Sequence, residues 1–183
     1  MKVALCTCFI EQPGAADGEY DYVAITDSLK AYYCRIHENV DFICSKENPH
    51  PDRDPHFCKF AMLLYAFLKG YDWAVWMDAD AAPVNMDFDI AEYLFTVDQT
   101  KMVIGNDING LNSGVFAMPN TDKSDTWLRM LDTQQVNDFF RKFPFWDQDA
   151  IADSLKTEYF KDFAQEPDPG IGFNSYENIY RYV

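Results

Sequence analysis

Runs of apolar residues alternate with amphipathic stretches along the first half of the chain. Residues 3–10 form a short continuous apolar run and read as a buried strand. Over residues 22–37 the apolar positions Ile25, Leu29, Tyr32, Tyr33 and Ile36 recur at intervals of three and four, which predicts a helix with that stripe inward. Residues 40–44 read as a second strand, and the proline-rich segment 45–55 as a loop. Asp54-Pro55 has the form of an N-cap followed by Pro at the first helical position. The helix it opens carries Phe57, Phe60, Ala61, Leu64 and Leu68 inward and stops at Gly70. Residues 73–77 are apolar throughout, as expected of a strand covered on both faces.

The second half is more mixed. Residues 101–104 and 114–118 read as strands, residues 124–140 as one helix, and residues 148–155 as the start of another. Strands and helices alternating in this order predict an α/β fold with a mostly parallel, Rossmann-type sheet and a smaller mixed second half. Ligands in such sheets bind beyond the carboxyl ends of the strands. Residues 11–19, with Pro13, Gly14 and Gly18, read as a loop, and so does the tail 167–183, with Pro169, Gly170 and Gly172.

Composition narrows the function classes. The 183 residues carry 15 Lys and Arg against 30 Asp and Glu, a formal net charge of -15. Nucleic acids and anionic membranes recruit clustered cations, so both are excluded as expected partners. A single diphosphate is not excluded, because a metal ion and one or two local cations suffice for it. No stretch reaches the roughly 18 apolar residues of a membrane span. Residues 1–10 are too short for a secretory leader. The five cysteines, Cys6, Cys8, Cys34, Cys44 and Cys58, read as reduced thiols. A cytoplasmic location in a bacterial or viral setting is the expectation.

The chemistry concentrates after the strand at 73–77. Asp78-Ala79-Asp80 sets two carboxylates one residue apart at a strand end. Like charges there repel unless a cation lies between them, and hard oxygen ligands suit Mg2+ or Mn2+. Three other segments point the same way. They are Lys59 in the first turns of the helix before this strand, Asn112-Ser113-Gly114, and Asp147-Gln148-Asp149. Each alone has a plain structural reading: a surface lysine, a turn, an acidic helix start.

The ordered set resembles glycosyltransferases of the GT-A fold. Lys59, Trp76-Met77-Asp78-Ala79-Asp80-Ala81 and Leu111-Asn112-Ser113-Gly114 are most similar to glycosyltransferase family 34, the galactosyl/xylosyltransferase group. Asp147-Gln148-Asp149 is similar to an element of family 8. The resemblance implies one domain over 1–183, with a nucleotide-binding half over about 1–105 and an acceptor half over about 106–183. It implies transfer from a UDP-sugar donor to a glycan or glycoprotein acceptor, with Mn2+ or Mg2+ as cofactor and retention of anomeric configuration. Residue by residue, it implies that Cys6, Thr7 and Cys8 line the nucleoside pocket and that Lys59 approaches the diphosphate. The resemblance implies that Asp78 and Asp80 bind the metal ion and that both, with Ala79, contact the donor. Asn112, Ser113 and Gly114 shape the sugar side, and Asp147, Gln148 and Asp149 flank the anomeric carbon.

Two features depart from that pattern. Family 34 enzymes usually carry a membrane anchor. Many GT-A enzymes take a metal-binding His from a later segment, whereas His37, His50 and His56 all precede Asp78. Either the Asp pair and water hold the metal, or the chain is part of a longer protein. Two other readings stay open. One is a haloacid-dehalogenase-type phosphohydrolase, with 75–80 as nucleophile strand and 105–110, including Asp107, as second acidic loop. The other is a non-catalytic nucleotide-sugar-binding module. Trp146, Tyr176 and Tyr180 are candidates to stack on an acceptor sugar.

Overall fold

The computed structural model describes residues 1–11, 21–108, 110–168 and 171. Tyr176 and Tyr180, and most of the two loops expected at 11–19 and 167–183, lie outside them.

The described residues build an α/β/α sandwich around one mixed sheet. The strands are β1 (Val3–Cys8), β2 (Val40–Ser45), β3 (Trp73–Met77), β4 (Met102–Asp107), β5 (Gly110–Pro119) and β6 (Ala164–Gln165), in the spatial order β2-β1-β3-β5-β4-β6. β2, β1 and β3 run parallel, β5 runs against both β3 and β4, and β6 is parallel to β4. The carboxyl end of β3 therefore abuts a strand of opposite direction, with Met77 opposite Val115. Asp78 N–H donates to the Gly114 carbonyl at 2.8 Å just beyond that pairing. This contact joins the two motifs.

Alternation along β1 feeds two cores. Ala4, Cys6 and Cys8 join α2 (Cys58–Leu68), α4 (Asp122–Leu131) and α6 (Trp146–Ser154) on one face. Val3 and Leu5 join α1 (Asp21–Ile36) and α3 (Ile90–Thr96) on the other. The side chains point to opposite faces at successive positions.

Several expectations are corrected. Of the stripe expected inward on α1 only Tyr33 is buried: Ile25 is 63% exposed, Tyr32 45% and Ile36 44%. Its buried face is Val23, Thr26, Lys30, Tyr33 and Cys34. On α2, Leu68 is exposed while Met62, Leu63, Ala66 and Phe67 are buried. Nearly every residue of that helix is apolar, so periodicity does not mark its inner face. The helix expected over 124–140 is two helices, α4 and α5 (Gln134–Phe140). Thr133 breaks it by capping α5, its hydroxyl accepting from Val136 N–H at 3.3 Å. Asp132 leaves the helix to pair with Arg53 and His50 of the proline-rich loop.

Candidate active site

Asp54 behaves as expected, accepting from His56 N–H, but it caps a single 3-10 turn, Pro55–Phe57, which then leads into α2. This entry sets Lys59 in the first turn of α2, where it is 3% exposed. The Lys59 ammonium donates to Asp147 Oδ2 at 2.6 Å, the Ser113 carbonyl at 3.2 Å and Asp78 Oδ1 at 3.4 Å. Ser113 Oγ donates to the same Asp147 oxygen at 2.8 Å. One buried cation thus ties together α2, the end of β3, the start of β5 and the start of α6. Burial alone would lower the Lys59 pKa; Asp147, then Asp78, overcome that and hold it above the ordinary lysine value.

These groups lie in a cleft of about 520 Å³. Lys59, Asp78, Asp80, Ser113, Asp147 and Gln148 line it, together with Cys8, Ala79, Asn112 and Gly114. Asp78 Oδ1 also accepts from the Trp76 indole N–H at 2.6 Å. The second oxygen of Asp78 and the exposed carboxylate of Asp80 have no hydrogen-bond or ion-pair partner among the described residues. Gln148 Oε1 accepts from Ser113 N–H at 3.2 Å, which orients the amide and leaves its NH2 for another acceptor. Asn112 Oδ1 accepts from Gly114 N–H at 2.8 Å and shapes the backbone there.

Three candidate residues lie elsewhere. Cys6 is fully buried in the core, where desolvation, then Cys34, push its thiol pKa up. Thr7 is fully buried on the α1 side of β1. Alternation turns Thr7 to the other face, and Cys6, on the same face as Cys8, is sealed within the core, so only Cys8 of the three, at the strand end, lines the cleft. Asp149 turns back and accepts from Phe145 N–H at 2.9 Å, where it steadies the first turn of α6. Asp107 accepts from the Asn112 amide at 2.7 Å and is not part of the cleft lining.

The sequence reading missed Lys30. It is fully buried beneath the Asp78 turn, on the side of the sheet opposite Lys59. Its ammonium donates to the Asp78 carbonyl at 2.9 Å and the Ala79 carbonyl at 3.3 Å. Thr26 donates to the Ala79 carbonyl at 2.5 Å from one turn earlier on α1. Burial lowers the Lys30 pKa, against the attraction of Asp27, Asp78 and Asp80. Asp78-Ala79-Asp80 is therefore held from below through its backbone and from the α2 side through one carboxylate. The Thr26-x-x-x-Lys30 spacing is the available signal, a polar pair on one helix face.

The donor set can be tested against a divalent cation. No three His, Cys, Asp or Glu side chains among the described residues are grouped to enclose a metal ion. Two carboxylates remain, one with a free oxygen and one wholly uncommitted. That set suits a hard cation whose other positions are filled by water and substrate phosphates. Lys59 is the one Lys or Arg lining the cleft among the described residues, against Asp78, Asp80 and Asp147.

No protein-family model matches the sequence, and no curated protein matches it. Solved structures do. The chain is similar to a glycosyltransferase involved in the glycosylation of the major capsid of PBCV-1, with a TM-score of 0.68 and 16% identity, covering 92% of this chain and 82% of that one. It is also similar to the glycosyltransferase GlyE of Streptococcus pneumoniae TIGR4, with a TM-score of 0.50 and 14% identity over 91% of this chain. The apo form of GlyE gives a TM-score of 0.55 at 14% identity. The match spans 45% of the first GlyE chain and 44% of the apo chain. The chain has the fold of these glycosyltransferases. No helix among the described residues is long and apolar enough to cross a membrane.

Proposed function

We propose that the protein is a cation-dependent glycosyltransferase that moves a sugar from a UDP-sugar to a hydroxyl of a glycan or glycoprotein, with retention at the anomeric carbon. One observation carries the reading. An uncommitted Asp80 and a half-committed Asp78 sit at the carboxyl end of β3, in a cleft with more carboxylates than cations. A diphosphate entering that cleft meets net negative charge, so it needs a divalent cation as intermediary. The fold shared with the capsid glycosyltransferase and GlyE supports the reaction class. Retention rests on the resemblance to families 34 and 8.

Asp80 and the free oxygen of Asp78 would hold Mn2+ or Mg2+, which when bound supplies the positive charge that a departing diphosphate requires. Lys59 fixes Asp78 and adds a second positive charge in the cleft. Asp147 is committed to Lys59 and Ser113, so it acts as a positioning residue. Gln148, its amide NH2 uncommitted, is the group on α6 best disposed to hydrogen-bond the donor sugar. Lys30 holds the backbone from which both metal-binding carboxylates project.

A melting-temperature screen of UDP-, GDP- and dTDP-sugars, with and without Mn2+, tests this. UDP and Mn2+ together are expected to stabilise more than the sum of each alone. At a hundredfold excess over Kd, linkage gives about 2.7 kcal/mol, or a shift of roughly 5–10 °C for a chain of this size. A purely additive response counts against the proposal.

Lys30→Met separates positioning from folding. It strands two carbonyl acceptors, at a cost of about 1–3 kcal/mol. It is also expected to weaken the Mn2+ dependence of the UDP response by about 10- to 100-fold, as removal of a metal-site support does. An unchanged Mn2+ midpoint would assign Lys30 a structural role alone.

A further inference from the structure

The same cleft also carries exposed aromatic side chains, in contrast to its buried Lys59, Ser113 and Asp147. Tyr22, Phe145 and Trp146 line it and are 41%, 47% and 37% exposed. Pro55 and Pro144 complete an apolar wall in the cleft that also holds Asp78 and Asp80. The His56 imidazole stacks on the Trp146 ring, with centroids 4.2 Å apart and planes 28° from parallel. Asp54 holds the other end of that imidazole through Nδ1 at 2.5 Å.

Trp146 is also the one non-glycine residue with positive φ among the described residues, at 38°. An L-residue in that region is strained, and such strain persists where surrounding structure imposes it. Trp146 opens α6, so Asp147 and Gln148 follow it directly. The unusual backbone turns one side chain toward solvent at the cleft while the next is buried against Lys59.

Resting on the glycosyltransferase reading, we propose that this aromatic wall is the acceptor subsite and that it takes an uncharged pyranose ring. A pyranose presents an apolar C–H face and a rim of hydroxyls. The Trp146 ring, backed by His56, supplies a flat surface for the first, and polar groups lining the same cleft supply hydrogen-bond partners for the second. An acidic acceptor is disfavoured by Asp78, Asp80 and the chain's net charge of -15. The wall thus selects a neutral sugar, carried by a glycan or a glycoprotein, with its hydroxyl turned into the cleft.

Trp146 provides its own probe. The other three tryptophans, Trp73, Trp76 and Trp127, are at most 2% exposed, so acrylamide quenching reads Trp146. The full chain is titrated with lactose, maltose, cellobiose and the anionic 3′-sialyllactose, with UDP and Mn2+ present. At least one neutral disaccharide is expected to cut quenching about twofold, and the anionic one to do so only weakly. In Trp146→Ala, calorimetric affinity for that disaccharide is expected to fall at least tenfold, with Trp146→Phe restoring most of it. Quenching unmoved by every neutral sugar, or equal affinity in Trp146→Ala, overturns the subsite. The donor reading is judged separately, by the coupled UDP and Mn2+ melting shift of the unaltered chain. A sugar response without that shift would keep the subsite and remove the UDP donor.

Discussion

Lys59→Met is expected to lower folding stability by about 3–5 kcal/mol, the usual consequence of removing one partner from a buried ion pair. The reason lies in what remains. Asp147, whose side chain is 6% exposed, loses a cation at 2.6 Å and keeps only the Ser113 hydroxyl on the same oxygen. The Ser113 carbonyl and Asp78 lose a donor as well. For a chain of this size each kcal/mol moves Tm by about 2–4 °C, so the drop is of order 10 °C. Urea unfolding of Lys59→Met, Asp147→Asn and the double variant measures the coupling. The double variant should recover part of the loss, because neither charge is then stranded. A single-variant loss below about 1 kcal/mol would mean that water, not Lys59, neutralises Asp147. The pair's contribution has a definite pH window. The folded Lys59 pKa is raised, so the stabilisation is complete below the ordinary lysine value and is lost as pH rises through the raised one.

Much of this network was legible in the sequence, and one part was hidden for a physical reason. Lys59, Asp78, Ser113, Asp147 and Gln148 come from four elements far apart in the chain, and they meet in one cleft. Their motifs were readable because each sits at a strand end or a helix start, where the α/β rule concentrates ligand contacts. Lys30 was not readable. A periodicity argument places lysine outside and apolar residues inside, and on α1 this inverts the helix. Ile25 and Tyr32 face water, while Thr26 and Lys30 turn inward to bond the carbonyls of Ala79 and Asp78. Hydrophobic burial on that face was surrendered to fix a turn, the kind of local conflict expected beside a functional site. Cys6 and Thr7 failed differently. Thr7 faces the opposite core because alternate residues of a central strand do, while Cys6 shares its face with Cys8 but is fully covered by the core, so only Cys8, at the strand end, lines the cleft.

Asp80→Asn is expected to separate chemistry from folding as sharply as Lys59→Met joins them. Asp80 is exposed and makes no hydrogen bond or ion pair among the described residues, so its replacement should change stability by no more than about 0.5 kcal/mol. The neighbouring carboxylate is unlike it. Asp78 accepts from Trp76 at 2.6 Å and from Lys59 at 3.4 Å, so Asp78→Asn disturbs a built network. Under the proposed function, Asp80 is the group that a cation must use to draw a diphosphate into an acidic cleft. Removing its charge should therefore abolish the coupled UDP and Mn2+ melting shift and lower donor hydrolysis by about 10²–10³-fold, the scale of losing one electrostatic stabiliser of the reacting charge. Excess Mn2+ should recover some of that loss if Asp78 still offers its free oxygen. Full activity in Asp80→Asn would sink the metal assignment, because no other uncommitted carboxylate among the described residues stands at the end of β3.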